Sequence, residues 1–282
     1  MTGLRTTDRR GWAALAMALS LITAMMAAIR FGPVDIVEEA DARLPALAAT
    51  DIHAELGYSL ATVAKTKRAP RLFIGSLEAD LARIKNVAEK KGVFFRIMLP
   101  IVAAENDRIR AERARIVDAN DDAELKDLYA KYEVDVGERE TLLRRVDIVP
   151  ASLALAQAAI ESGWGSSRFA RQANNFFGMR TYKKDVPGIQ PKEADGFKVT
   201  AFRDIRHSVR AYMKNLNTHD AYAKFRRERK RHRHADGRIS GLGLTGFLTS
   251  YSEIPKTYGK HLRALINANR LQRFEGVRLE DG

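Results

Sequence analysis

Apolar residues are arranged in three distinct ways along the chain. Residues 11–29, GWAALAMALSLITAMMAAI, carry no charge, and a helix needs about 20 such residues to cross a bilayer. From Ser76 the pattern becomes amphipathic. Leu77, Leu81, Ile84 and Val87 recur at spacings of three and four behind a capping-type serine, which predicts a helix over 76–92 that stops at Gly92. Residues 93–119 continue as helix with a break near Pro100. DAELKDLYAKYEV and GERETLLRRV predict two shorter helices. The third arrangement begins at Pro150, a residue favoured in a first helical turn. PASLALAQAAIES is apolar on nearly all sides, as a central helix of a larger domain is, and Gly163 and Gly165 end it.

Between 176 and 202 the chain is rich in Gly, Pro and aromatics and alternates near Phe197–Phe202, which predicts a small β-hairpin lobe beside the helices. Helical patterns resume at IRHSVRAYMKNLNTHDAYAKFRRERKR, GLTGFLTSYSE and TYGKHLRALINANRL. The fold class expected is therefore mainly α. Its boundaries are a membrane anchor or signal segment over 1–30, a juxtamembrane linker over 31–75 marked by Pro33, Pro45, Gly57 and Pro70, a helical region over 76–145, and a domain over 146–275.

Composition narrows this picture. The 282 residues contain 45% hydrophobic and 29% charged side chains, a globular balance. Lys and Arg number 48 against 35 acids, a formal +13 that favours an anionic partner such as wall polymer, an acidic lipid surface or nucleic acid. There is no cysteine, which excludes disulfides and thiolate metal sites. Arg5, Arg9 and Arg10 precede the uncharged run, and Asp35, Glu38, Glu39 and Asp41 follow it, so the remainder of the chain is expected outside the cytoplasm. The run lacks a small-x-small cleavage pair at its end, which favours a retained single-pass anchor in the inner membrane over a cleaved periplasmic form.

Glu161 is the residue whose setting points to chemistry. It lies near the C-terminal end of the apolar helix, with Gln157 four residues earlier on the same face. Desolvation and the negative end of the helix dipole both raise a carboxyl pKa, and a carboxyl kept protonated near neutral pH can protonate a glycosidic oxygen. From spacing alone, a structural glutamate paired with an arginine fits as well.

IESGWGSSRFARQANNFFGM resembles the signature of glycoside hydrolase family 73, the glucosaminidase group of the lysozyme-like superfamily, through an E-S-x-W-G-x-S block and an N-N-x-F-G block. FFRIMLPIVAAEN, RVDIVPASLALAQAAIESGWG, SVRAYMKNLNTHDAY and the terminal YSE…YGKHLRALINANRL extend the resemblance to the bacterial Bax-like proteins over residues 90–272. The resemblance implies a lysozyme-like helical domain that hydrolyses the β-1,4 bond after N-acetylglucosamine in peptidoglycan glycan strands, with Glu161 as the catalytic acid and no cofactor. Trp164 would shape the site wall, Asn174, Asn175, Phe177 and Gly178 the floor of the groove, and Tyr258 would sit beside the glutamate; Tyr251 is a further contact. Each also has a packing or turn reading. Inverting chemistry needs a second carboxylate as base, for which Asp185, Glu193 and Asp195 are candidates, Glu193 first; attack by the sugar's own acetamido group would need none. A lytic transglycosylase, which also works with one glutamate, and a non-catalytic wall-binding protein are the alternatives. The missing Gly-Leu-Met-Gln block speaks against the former.

The basic run 224–238, KFRRERKRHRHADGR, reads either as a solvated face or as an attraction to wall polymer or acidic lipid. A nucleic-acid partner is not expected, because only Phe225 offers a stacking surface within it. His232 and His234, two residues apart, are not read as metal ligands, and His207 and His219 read as surface or capping residues.

Overall fold

The computed structural model describes residues 46–47, 56–77, 81–192, 196–251 and 255–281. The uncharged run over 11–29 lies outside them. Among the described residues no helix is long and apolar enough to cross a membrane.

The protein is mainly helical with a few short strands. Helix α1 (Leu60–Thr66) is followed by α2 (Val87–Asp118), α3 (Lys126–Lys131), α4 (Arg139–Arg145), α5 (Ala151–Ser162) and α6 (Arg168–Ala173). After the strand region come α7 (Ile205–Thr218), α8 (Ala223–Asp236), α9 (Gly241–Leu244) and α10 (Pro255–Ala268). Two parallel two-residue ladders tie early chain to later chain: β1 (Ala46–Leu47) pairs with β3 (Ser76–Leu77), and β2 (Arg68–Ala69) with β7 (Arg278–Leu279). The expected lobe is a three-stranded antiparallel sheet, with β6 (Lys198–Thr200) between β4 (Arg180–Thr181) and β5 (Gly188–Ile189).

Helix α5 is the axis of the molecule. It packs against α2, α9, α10 and the turn at 271–274, and Leu153, Ala154, Leu155, Ala156, Ala158 and Ala159 are all fully buried. Burial on every side is what its nearly uniform apolar sequence requires. Its alanines let neighbouring helices approach closely, while each buried leucine contributes about 1.5–3 kcal/mol.

The N-terminal half departs from its sequence pattern. The helix expected over 76–92 is a strand at Ser76–Leu77 and a short 3₁₀ turn at Leu81–Arg83. The true start is Asn86, whose Oδ1 accepts from the Ala88 and Glu89 amides at 2.9 and 3.1 Å. From there α2 runs unbroken through both Gly92 and Pro100. A proline inside a helix frees the carbonyl four residues earlier. Here that carbonyl, on Arg96, accepts the Tyr58 hydroxyl at 2.7 Å, so the lost bond is replaced from outside the helix. The stretch expected to be linker contributes to the common core where it is described after β1, through buried Leu56, Val63, Ala69 and Ile74.

Candidate active site

Glu161 occupies the last turn of α5, and the turn after it is sharply folded. Gly163, Trp164 and Gly165 have φ of 57°, 60° and 76°, three consecutive left-handed residues, of which only glycine adopts that region freely. The buried Ser162 hydroxyl holds the turn, donating to the Ala158 carbonyl at 2.6 Å and accepting the Gly165 amide at 2.8 Å. A Cβ on Gly165 would lie 3.1 and 3.2 Å from the Leu77 and Leu81 side chains. The serine and second glycine of the first signature block are therefore turn-makers that end α5 directly after the glutamate.

The second block folds a loop under the same carboxyl. Asn175 is buried, and its side chain is fully committed to backbone. Its Nδ2 donates to the Met179 and Thr200 carbonyls at 2.7 and 2.8 Å, and its Oδ1 accepts from the Phe177 and Met179 amides at 3.3 and 3.0 Å. Gly178, at φ 68°, then passes beside Glu161: a Cβ there would stand 3.6 Å from Glu161 Oε2. The loop brings backbone rather than a side chain to that oxygen.

The other oxygen is held by an oriented chain of hydrogen bonds. Tyr212 OH donates to Gln157 Oε1 at 2.7 Å, Gln157 Nε2 to Tyr258 OH at 3.0 Å, and Tyr258 OH to Glu161 Oε1 at 2.8 Å. Aromatic rings enclose this chain. Tyr251 stacks on Tyr258 with centroids 5.7 Å apart, and Phe177 stacks on Tyr212 at 3.9 Å. Tyr251 OH donates to the Phe177 carbonyl at 2.9 Å. Burial holds the phenols of Tyr212, Tyr251 and Tyr258 well above the ordinary tyrosine range, so each stays a donor at physiological pH.

Glu161 keeps part of its surface accessible, yet protein crowds its carboxyl enough to exclude most water. Desolvation pushes its pKa up to about 8, against the opposing pull of the Tyr258 hydrogen bond and of the Arg180 guanidinium. The site thus holds a carboxylic acid that is protonated at neutral pH, with one oxygen anchored and the other beside a glycine.

Comparison with known proteins gives the family. Residues 139–271 match the family model described as mannosyl-glycoprotein endo-beta-N-acetylglucosaminidase. Protein bax of Escherichia coli (strain K12) is 34% identical over 205 residues, spanning 68% of this chain and 74% of that protein. The chain belongs to the glucosaminidase family, in its Bax-like branch. The catalytic domain of the autolysin Auto from Listeria monocytogenes overlaps 77% of this chain and 98% of its own, at 16% identity and a TM-score of 0.38, too loose an overlap to bear on the fold.

Within this member of the glucosaminidase family the residues singled out in the sequence fall into different roles. Gln157, expected to touch substrate, is fully buried and bridges two tyrosines. Asn175 and Phe177 are buried too, and they shape the loop from beneath. Asn174 is the left-handed cap of α6, with Nδ2 on the Phe202 and Arg203 carbonyls at 3.1 and 3.3 Å. Trp164 packs edge-on against Phe94 and Phe95, with Lys91 Nζ 5.0 Å from its ring centroid. Gly178 and Tyr258 adjoin the carboxyl. Asp185 is exposed in the lobe, while Glu193 and Asp195 lie outside the described residues. Two residues were not foreseen. Tyr212 sits among apolar neighbours on α7 and reads as core, and Arg180, whose guanidinium lies over Phe197 at 4.3 Å, reads as an ordinary strand cation.

The basic run is solvated at Lys224, Arg227, Arg231, His234 and Arg238, but part of it turns inward. Arg226 and Arg229 are buried. Arg226 donates to the Leu216 and His219 carbonyls at 3.1 and 2.7 Å. Arg229 donates to the Asp147 and Ile148 carbonyls at 3.0 and 3.1 Å, and to those of Arg144 and Arg145 at 3.2 and 3.3 Å, closing the C-terminal end of α4. His232 Nε2 lies 3.3 Å from Glu228, one turn earlier. His207 is buried rather than superficial, with Nδ1 2.7 Å from Asp204.

Proposed function

We propose that this protein is a peptidoglycan hydrolase of lysozyme-like architecture that cleaves the β-1,4 bond after N-acetylglucosamine, with Glu161 as general acid. The observation that carries the reading is the carboxyl itself, raised to about 8 by desolvation while Tyr258 holds one of its oxygens. A protonated Glu161 gives its proton from the side facing Gly178 to the glycosidic oxygen, the bond to the anomeric carbon breaks, and the carboxylate left behind is stabilised by Tyr258 and Arg180. Water completes the reaction, and Glu193 is proposed as the base that activates it. Full cleavage by Glu193→Gln would instead assign that step to the sugar's acetamido group. We place the enzyme on the outer face of the inner membrane, held by residues 11–29. Alkaline phosphatase fused after residue 44 is then active in cells, and an inactive fusion refutes that placement.

Among the described residues Arg180 is the one charged group acting on Glu161. That arrangement also suits a lytic transglycosylase, so the product decides. Mass spectrometry of digested sacculi is expected to find reducing N-acetylglucosamine ends. Anhydro-muramic ends would establish the transglycosylase, and undigested sacculi that still bind the protein would make it a wall-binding protein.

A further inference from the structure

Away from Glu161, a cavity of about 810 Å³ opens between the C-terminal turns of α2 and α8 and the turn at 272–276. Its wall includes Glu275, which accepts the Ser152 hydroxyl at 2.5 Å near the first turn of α5. Glu161 lies nine residues further along that helix, roughly 13 Å away at 1.5 Å per residue. None of the residues around Glu161 lines the cavity.

Its charges are unevenly compensated. Lys67, Arg110, Arg113, Arg233 and Arg238 face it, against Asp118 and Glu275. Asp107 is shared between Arg110 and Arg278, and Asp147 is taken by Arg233. Among the described residues Arg113 hydrogen-bonds to the Leu143 and Val146 carbonyls and feels Asp147 without a direct ion pair, and Lys67 bonds to the Arg273 carbonyl. Arg238 is exposed and has no ion-pair partner among the described residues. Burial lowers the pKa of both Arg110 and Arg113; Asp107 opposes this at Arg110 and Asp147 at Arg113, while repulsion from Arg278 and Arg233 adds to it at Arg110 and from Arg233 at Arg113. The cations crowd one another without enough acids between them.

The rest of the wall decides what kind of anion fits. Ala114, Val117, Ile148 and Ile239 supply apolar surface. Asp118, exposed on the rim, has no ion-pair partner among the described residues and offers a negative carboxylate to an N–H donor. A bare phosphate would use the guanidinium groups alone. A bilayer would need a convex face rather than a concavity. A ligand with a carboxylate, small aliphatic groups and N–H donors uses all three kinds of surface, and the volume suits a few residues, not a polymer.

We propose that this cavity binds a short peptide ending in a free carboxylate beside small aliphatic side chains, with the carboxylate against Arg113 and Arg238 and the amino-terminal side toward Asp118. The site is separate from the glycan chemistry assigned to Glu161 and does not depend on it. Calorimetry on the full chain in detergent tests it, using alanyl-alanine as probe. Saturable binding is expected, lost with alanyl-alanine amide and weakened about tenfold or more by Arg238→Glu, the loss of one charge-assisted contact. Glu161→Gln is expected to bind the dipeptide as the unmodified protein does, whatever its effect on cleavage. Arg238→Glu is preferred to a change at Arg113, which also holds two carbonyls of the fold. Equal binding of inorganic phosphate, equal binding of the amide, or no dipeptide binding overturns the proposal. So does binding to phosphatidylglycerol vesicles that Arg238→Glu abolishes without any dipeptide affinity.

Discussion

At Glu161 two effects oppose each other and burial wins. The Tyr258 hydroxyl and the Arg180 charge favour the carboxylate, yet desolvation leaves the pKa near 8. In the proposed mechanism the acid form is the active one, so kcat/KM is expected to fall as pH rises through about 8. Tyr258→Phe removes a bond that favours the charged form, so it is expected to move this alkaline limb upward while lowering kcat about tenfold. A pH–rate profile of the variant checks both, and a downward move would contradict the assignment. Stability carries the same sign. A carboxyl whose pKa is raised on folding is neutral in both states below about 4.5 and costs stability as pH rises toward 8. Glu161→Gln is therefore expected to be more stable than the parent above pH 8 by about 1–2 kcal/mol, a figure reduced for the solvent that still reaches the group, and no more stable near pH 4. Thermal melts at the two pH values measure this difference.

At the scale of elements, Asn175 explains how a loop without regular structure is held under the acid. Its amide makes four bonds to backbone within a buried turn. Asn175→Ala is expected to cost about 2–4 kcal/mol, since several buried polar groups lose partners at once, and denaturant unfolding would show it. A loss below about 0.5 kcal/mol would mean that the loop is held by something else. Elements with one dominant determinant were legible from sequence: α5 through its all-round apolar pattern, its end through Gly163, and the lobe through alternation before Phe202. The segment 76–92 was not. Leu77 and Leu81 do face the core, as the spacing suggested, but they do so from a strand and a 3₁₀ turn packed on Gly165. Pro100 was misleading for a related reason, because the hydroxyl that relieves it comes from Tyr58, 42 residues earlier. Long-range partners also hid Tyr212, whose link to Glu161 passes through Gln157 and Tyr258 on two other helices.

Across the whole molecule, buried ion networks join the N-terminal half to the part that carries Glu161. Glu105 on α2 is fully buried and accepts from Arg108 on its own helix and from Arg206 and Arg210 on α7, at 2.9, 2.7 and 3.0 Å. Burial alone would raise its pKa, but the three guanidinium groups overcome it and hold the value at about 2. Its contribution is present above the unfolded value near 4.5 and is lost as pH falls through 2. Glu105→Gln is expected to cost about 3–5 kcal/mol at pH 7, because it removes the buried charge that three half-buried arginines share. That deficit should narrow below pH 4, and a pH-independent deficit in denaturant melts would contradict the ion-pair account. The basic run on α8 belongs to this scale as well. Its count of positive charges was visible in the sequence, but only the fold reveals that Arg226 and Arg229 are consumed by carbonyls inside the protein.

The central claim is that one half-buried, proton-carrying glutamate cuts glycan strands, and the most direct test compares muropeptide release from purified sacculi by the parent protein and by Glu161→Gln at pH 7. The account predicts release by the parent and a loss of at least about 100-fold in the variant, with the variant as well folded by circular dichroism. Release by Glu161→Gln at the parental rate would contradict it.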